Sequence, residues 1–532
     1  MSAVVTMTRH RVLVADPLAE DGLSRLRQGA DVEIRTRQPE NALVAVIGEF
    51  DAIVVRSETR VTARLLEAAP RLRVVGRAGV GLDNIDLETA TRKGILVVNA
   101  PRGNIIAAAE HTIGLLLALA RNVPQADASV RRGEWARSKF VGVEVRAKTL
   151  GILGLGNIGS EVAKRAQGLE LEVIAYDPAV PIERAEQFNV ELVSLDELFR
   201  RSDFVSIHAP LVDATRNLVG ERLLGLARPE LRLVNAARGG IVDEDALYRA
   251  LVEGRIAGAA ADVFQREPLG QSPLLELPNF IATPHIAAST VEAQSSVAAD
   301  VAEEVLAVLE GELPRYAVNA PTLSAEDLAF VRPFVTLTER LASLYVQLGG
   351  GRISQVELEY EGELAERDVS LLTAAAIKGL VQPFVEDRIN PVNARLVAAA
   401  RGLKLAESRS PRAPAGYPNG VTLRVNGVEL KGTVLFGEPR VTQIGSFRVD
   451  LVPEGRFLVS RHEDRPGVIG RVGTILGGHD INIASMQLGR DAPRGHAMMI
   501  LTVDEPAGED VLEDLRQVQG MSDLRYVELG SG

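Results

Sequence analysis

The stretch TLGILGLGNIGSEVAKRAQ, Thr149 to Gln167, limits what this chain can fold into more than any other. Gly154, Gly156 and Gly159 stand in GxGxxG spacing, after an apolar run that reads as a strand and at the start of a helical pattern. Asp177 follows about 20 residues on, at the end of a second strand, LEVIAYD, which completes the fingerprint of a dinucleotide-binding βαβ unit. The first glycine allows the tight turn, the second lets backbone approach a pyrophosphate, and the third lets helix and strand pack closely. The helix start at Asn157 and Ile158 offers free N–H groups to the phosphates. A carboxylate at Asp177 accepts hydrogen bonds from ribose hydroxyls and repels a 2′-phosphate, so the pattern predicts NAD rather than NADP.

The elements around this unit extend it. Between Arg11 and Val98 the runs RVLVAD, DVEIR, AIVVR, RVVGRAG and ILVVNA read as strands, separated by the helical stretches AEDGLSRLRQ, VTARLLEAAP and DLETATRKG. A second series starts at Thr149 with TLGILGLG, LEVIAYDP, FVSIHAPL, RLVNAARGG, AAADVF and IATPHIA. Such alternation implies parallel sheets flanked by helices. A helix from Thr290 to Gly311 is expected to carry the chain back to the first unit. Ile105 to Arg121 (IIAAAEHTIGLLLALAR) is too apolar for a surface helix and is expected to lie between domains or subunits. From about 322 to 453 a helix pair precedes strands and an exposed loop, Ser408 to Gly420 (SRSPRAPAGYPNG). The last stretch runs strand, helix, strand, strand, helix, strand, the ferredoxin-like order.

Composition narrows the function. A net charge of −12 argues against a nucleic-acid surface, and 4% aromatic residues against base stacking. With no cysteine there is no disulfide, thiol nucleophile or Cys-bound metal, and no metal site is expected; this fits a cytoplasmic chain. The N-terminus MSAVVTMTRHRVLVAD lacks the features of a secretory signal, and no apolar run is long enough to span a bilayer.

A nicotinamide cofactor transfers hydride, so the protein must move a proton and hold a carbonyl compound. Imidazole suits the proton, and a guanidinium suits a carboxylate and a polarised ketone. The chain has 7 histidines, and His285 in IATPHIAAST stands at a predicted strand end, among small neighbours that leave room for the nicotinamide. Arg238 in VNAARGGIVDE and Glu267 in ADVFQREPL lie near other strand ends of the same series, where α/β sheets place their ligands. A carboxylate beside the imidazole would raise its pKa and fix the ring.

VRSETRV, GRAGVGLDNID, GILGLGNIG, NAARGGIVDE, ADVFQREP and TPHIAAST together resemble the D-isomer-specific 2-hydroxyacid dehydrogenases, in particular the long members with a C-terminal regulatory tail. The resemblance covers nearly the whole chain. It implies an α/β chain with a Rossmann-like nucleotide-binding domain (101–287) inserted in a flavodoxin-like substrate domain (1–100 and 288–319). An α+β allosteric substrate-binding domain (320–453) and a ferredoxin-like ACT domain (454–532) follow. It makes Arg238, Glu267 and His285 the catalytic residues. Val80, Ala209, Ala236, Ala237, Asp262 and Ala288 join Gly154, Gly156, Asn157, Ile158, Gly159 and Asp177 as NAD contacts. Arg56, Ser57 and Asn104 match substrate-holding positions, and Arg137, beside Trp135, lies where relatives reach into a neighbour's site. Departures occur at Ile286-Ala287, where the family often has Leu-Gly, and at Ala100 and Arg102; they touch substrate selectivity rather than the chemistry.

The implied reaction is NAD-dependent oxidation of 3-phospho-D-glycerate to 3-phosphohydroxypyruvate, at the entry to L-serine synthesis, in a homotetramer. HEDRPGVIGRVGTILGGHDINIASMQLGR, His462 to Arg490, resembles an ACT domain. The likeness implies L-serine as effector, with Asp464 on its ammonium, His462 at a variable position and Asn482 bridging a subunit pair. Lys431, Arg440 and Arg448 are either an anion site formed with the ACT domain or, equally, a solvated basic face, and His479 and His496 read as surface residues. The alternatives are another D-2-hydroxyacid (2-hydroxyglutarate, hydroxypyruvate or glyoxylate as substrate pair) and a non-catalytic NAD(H)-sensing scaffold.

Overall fold

The computed structural model describes residues 9–530 apart from 313, 322 and 387. Its first sheet contains β1 (His10–Val14), β2 (Ala30–Ile34), β3 (Ala52–Val55), β4 (Val74–Arg77) and β5 (Leu96–Asn99). All its pairings are parallel, in the flavodoxin-like order β2-β1-β3-β4-β5. Helices cover both faces, so a central strand such as AIVV is buried throughout and shows no alternation. The helix Val291–Glu310 returns to this sheet, capped at its start by Thr290 and ended by Gly311 at φ +88. Close approach is built in on both sides of it. A Cβ on Gly76 of β4 would fall 2.6 Å from Val305, and one on Gly22 of the helix Glu20–Gly29 2.6 Å from the Ala298 carbonyl.

The second sheet contains β6 (Thr149–Leu153), β7 (Glu172–Tyr176), β8 (Glu191–Leu192), β9 (Phe204–Ile207), β10 (Arg232–Asn235), β11 (Gly258–Ala261) and β12 (Phe280–Ala282). It is parallel, in the order β12-β11-β10-β9-β6-β7-β8. Strand order reverses between β6 and β9, which opens a crevice at their C-terminal ends. β8 has two residues, too few to show a period, and sequence patterning does not reveal it. The apolar helix Ile105–Arg121 buries Leu115, Leu116 and Leu119 against this sheet, so much of its apolar surface is satisfied within the chain. Ile106 and the following Val123, Val130, Trp135 and Val141 stay exposed. Among the described residues no single helix is long and apolar enough to cross a membrane.

The third sheet contains β13 (Gln355–Gly362), β14 (Lys404–Ser410), β15 (Asn419–Val425), β16 (Val428–Leu435), β17 (Glu438–Ile444) and β18 (Phe447–Leu451), in the order β14-β13-β15-β16-β17-β18. The helices Ala325–Gln347 and Ser370–Val381 pack on its inner face. The expected loop Ser408 to Gly420 is shorter in the structure: Ser408 and Ser410 pair with β13, as does Gly420. Only the segment holding Pro411, Pro414 and Pro418, which lack an amide donor, stays outside the ladder.

The fourth sheet contains β19 (Gly455–Glu463), β20 (Ile483–Arg490), β21 (His496–Val503) and β22 (Met521–Leu529), antiparallel in the order β20-β21-β19-β22. Its helices Val468–Gly478 and Glu509–Arg516 cover one face, over Leu458, Met499 and Leu501. The other face, with Phe457, Val459, Met498, Ile500, Val527 and Leu529, belongs to the hydrophobic core of the preceding domain. The edge of β22 is also closed. Gln347 donates to the Glu528 carbonyl at 2.9 Å and accepts from its N–H at 2.9 Å, standing in for a further strand.

Candidate active site

The glycine turn after β6 is shaped as its spacing demands. Gly154 has φ +97, and a Cβ there would fall 2.8 Å from the His208 backbone beyond β9. A Cβ on Gly159 would meet the Gly154 carbonyl at 2.1 Å, whereas Gly156 faces open space. The helix Asn157–Gly168 starts there with Gly156 as its N-cap, which leaves the N–H groups of Asn157 and Ile158 without helical partners. Asp177 accepts from the N–H of Leu155 and of Ala179, each at 2.9 Å, so the carboxylate braces the turn and retains lone pairs for a further donor. Beneath the turn, burial pushes the His208 imidazole down to about 4; its Nε2 lies 2.7 Å from the Ser206 hydroxyl, and the ring is neutral at pH 7. Val80, Ala209, Ala236, Ala237 and Ala288 are half-buried on the loops around the crevice.

His285 lies just beyond β12 with φ 54, a left-handed conformation that costs a non-glycine residue about 1 kcal/mol or more. The Asp262 residue holds it there. The Asp262 carbonyl accepts the His285 N–H at 2.9 Å. Its carboxylate accepts from the Thr283 hydroxyl at 2.5 Å and from the N–H groups of Ile286 and Ala287 at 2.9 Å. Burial alone would push this carboxyl up, but those donors and His111 outweigh it and hold it below the usual range. His111, from the apolar helix, reaches within 3.4 Å of the carboxylate and 3.2 Å of Thr283. The Asp262 side chain is thus fully buried under the loop and turned to its backbone.

His285 Nδ1 lies 2.7 Å from Glu267, whose other oxygen accepts the Phe264 N–H at 3.0 Å. The hydrogen bond that His285 donates to Glu267 raises the imidazole pKa, against the opposing effect of burial and of Arg238. Burial pushes the Glu267 carboxyl up, but its bonds to His285 and Phe264 prevail and lower it. With Nδ1 occupied, Nε2 is the ring nitrogen left to face a substrate.

Arg238 donates to the Ala237 carbonyl at 2.7 Å, and its Nε lies 3.8 Å from Asp83. A residue that sequence reasoning leaves unassigned joins it. Arg77, at the end of β4, has a buried Nε without a hydrogen-bond partner among the described residues. Its pKa is pushed down to about 10 by burial first and then by the positive charges of Arg238 and Arg56. Arg56 and Ser57 follow β3, with Arg56 half-buried and Ser57 exposed. Asn104 is the N-cap of the apolar helix but its side chain makes no capping bond, and its Oδ1 is buried without a partner among the described residues. The signal for Arg77 was a charge closing an otherwise apolar strand, the pattern shared by Asp16 in RVLVAD. Arg137 stands outside this cluster, its guanidinium 5.5 Å from the Trp135 ring.

The C-terminal candidates fall differently. Lys431 is paired with Glu429 at 3.1 Å, and Arg440 with Asp450 at 3.0 Å and Glu438 at 3.2 Å, which favours the solvated face over an anion site at these two residues. Carboxylates on neighbouring strand positions already satisfy these cations. His462 is buried, its Nδ1 has no partner among the described residues, and burial lowers its pKa. Asp464 accepts from the Arg494 N–H at 3.0 Å and lies 3.4 Å from Arg490. Asn482 bonds Asp504 at 2.6 Å, at the opposite end of the sheet from Asp464, so one chain does not bring them together. His496 is exposed, whereas His479 is half-buried against Asp514 at 2.8 Å. Among the described residues no group of His, Cys, Asp and Glu could hold a metal.

Residues 113–287 match the D-isomer specific 2-hydroxyacid dehydrogenase NAD-binding domain, 330–445 the D-3-phosphoglycerate dehydrogenase intervening domain, and 456–520 the ACT domain. The chain is 45% identical to D-3-phosphoglycerate dehydrogenase of Archaeoglobus fulgidus over 98% of its own length and 100% of that protein. It is 40% identical to the Bacillus subtilis enzyme of that name over 98% and 99% of the two chains. Among solved structures, D-lactate dehydrogenase from Aquifex aeolicus, complexed with NAD and lactic acid, is 30% identical with a TM-score of 0.52, covering 58% of this chain and 100% of that one.

Proposed function

The chain belongs to the D-3-phosphoglycerate dehydrogenase family, and on that footing we propose that it oxidises 3-phospho-D-glycerate at C2 to 3-phosphohydroxypyruvate, the step that opens L-serine synthesis. The observation that carries this reading is the grouping of three cations, Arg56, Arg77 and Arg238, with the carboxylates of Asp16 and Asp83 beside them, near the His285–Glu267 pair. A small dianionic or trianionic acid fits such a receptor; a neutral alcohol does not.

The crevice fits NAD: Gly156 leaves room for backbone approach, the helix start at Asn157 presents N–H groups, and Asp177 has lone pairs for ribose. Bound there, NAD would supply the acceptor for the hydride leaving C2. His285 Nε2 takes the hydroxyl proton, and Glu267 balances the imidazolium that results. Arg238 holds the carboxylate and polarises the forming carbonyl, while Arg56 and Ser57 receive the phosphate with Arg77 behind them. Asp262 keeps His285 in its required conformation. Asn104 lines the substrate side, and Arg137 serves the site of a neighbouring subunit.

The exposed strip from Ile106 to Val141 supports burial in an oligomer, and a homotetramer in the cytoplasm is the proposed state. L-Serine is the proposed effector, bound where His462 and Asp464 of one ACT domain meet Asn482 of another. Following NADH consumption with 3-phosphohydroxypyruvate, glyoxylate and 2-oxoglutarate, with and without L-serine, tests the reaction and the effector, and sedimentation velocity tests the tetramer. Turnover of the phosphorylated acid that serine slows supports it; turnover of only unphosphorylated acids overturns it.

A further inference from the structure

We infer that Asp16 and Asn84 are positioning residues that set selectivity for a phosphorylated substrate by fixing the loop of Arg56 and Ser57. The inference rests on the assignment of that loop to the phosphate. Asp16 closes β1 and is 1% exposed. Its Oδ2 accepts the N–H of Arg56 at 2.6 Å and of Thr59 at 3.1 Å, and its Oδ1 accepts the Thr59 hydroxyl at 2.5 Å. Asn84 holds the opposite side. Its Nδ2 donates to the carbonyl of Arg56 at 2.7 Å and of Thr59 at 2.6 Å. The N–H and C=O of both Arg56 and Thr59 are thus held by two side chains from other loops.

The Asp16 carboxylate spends its acceptors on backbone and hydroxyl. Among the described residues the Arg56 guanidinium makes one long bond, 3.5 Å to the Pro17 carbonyl, and its charge remains available to an anion. Asn84 also follows Asp83, the carboxylate beside Arg238. Its loop and the Arg56 loop are zipped by a Val61–Ile85 bridge and by bonds from Val61 to Asn84 and from Asp86 to Val61, each 2.8 Å. The clamp therefore fixes the spacing between the cation for one end of the substrate and the cation for the other. An acid with charge at both ends needs that spacing; an acid with a carboxylate alone does not.

The test measures kcat and KM for 3-phosphohydroxypyruvate and for hydroxypyruvate in the full-length protein and in Asn84→Ala, Asp16→Asn and Arg56→Ala. Both clamp variants are expected to lower the ratio of kcat/KM, phosphorylated over unphosphorylated, by about tenfold, chiefly through KM. Arg56→Ala should lower it by about a hundredfold. If Arg56→Ala moves the ratio and the clamp variants depress both substrates equally, the inference is overturned while the Arg56 assignment stands. If Arg56→Ala leaves the ratio unmoved, the assignment itself fails. Asn84→Ala, at a half-buried position, gives the reading should Asp16→Asn not fold, and faster amide exchange at Arg56 and Thr59 reports the released loop.

Discussion

Arginines behave in opposite ways in the two halves of this molecule. At the dehydrogenase site Arg56, Arg77 and Arg238 lie together with Asp83, 3.8 Å from Arg238, and with Asp16, whose carboxylate is occupied by backbone and hydroxyl donors. On the third sheet Arg424 has Glu359 at 3.0 Å and Glu429 at 2.7 Å, and Lys431 and Arg440 are matched as well. Mutual repulsion and burial oppose the first group, which the proposed anionic substrate would relieve; in the second, the sheet has supplied the opposite charge already. A basic cluster is a receptor only when its own fold leaves it short of carboxylates.

The comparison can be broken at several points. The largest effect is expected from His285→Ala, which should lower kcat by about 10²- to 10⁴-fold with little change in KM, measured by steady-state kinetics. Asp262→Ala removes the support of the left-handed His285 and should lower kcat/KM by about a hundredfold. Retained activity there would show that the loop holds its shape without the buried carboxylate. In Glu267→Gln the effect is on pH. Reduction requires the protonated imidazole, so its kcat/KM falls as pH rises through the raised pKa of His285, while oxidation gains over the same range. The variant should shift both midpoints downward. Stability follows the same signs: the pair contributes most above the lowered pKa of Glu267 and below the raised pKa of His285, and melting curves against pH should show the loss at either end. Arg77→Met relieves a buried cation and should stabilise the ligand-free chain by about 1 kcal/mol while raising KM for the phosphorylated acid. Arg440→Ala is expected to change stability by less than about 0.5 kcal/mol and not to alter the response to phosphate.

The parallel sheets and the dinucleotide turn were legible in sequence because each rests on local patterns: apolar runs, fixed glycine spacing, a strand-ending Asp177. The pairing of His285 with Glu267 was legible as residue types; the left-handed His285 and the Asp262 brace were not, since both depend on bonds between segments distant in the chain. Arg77 was hidden inside a run taken as pure strand. The choice at Lys431 and Arg440 between an anion site and a solvated face was open in the sequence for the same reason. Lys431 and Glu429 lie two residues apart on one strand, but Arg440 meets Asp450 only through the register of β17 with β18.

The face of the ACT sheet that shares the core of the preceding domain has a thermodynamic consequence. Severed near residue 454, the module would present Phe457, Val459, Met498, Ile500, Val527 and Leu529 to water, a penalty on the order of 10 kcal/mol. Such a module has little autonomy as a folding unit. The intervening and ACT domains, from about residue 320 on, should absorb heat in a single calorimetric transition, and a small molecule that binds the ACT domain should raise the melting temperature of the intervening domain by the same amount.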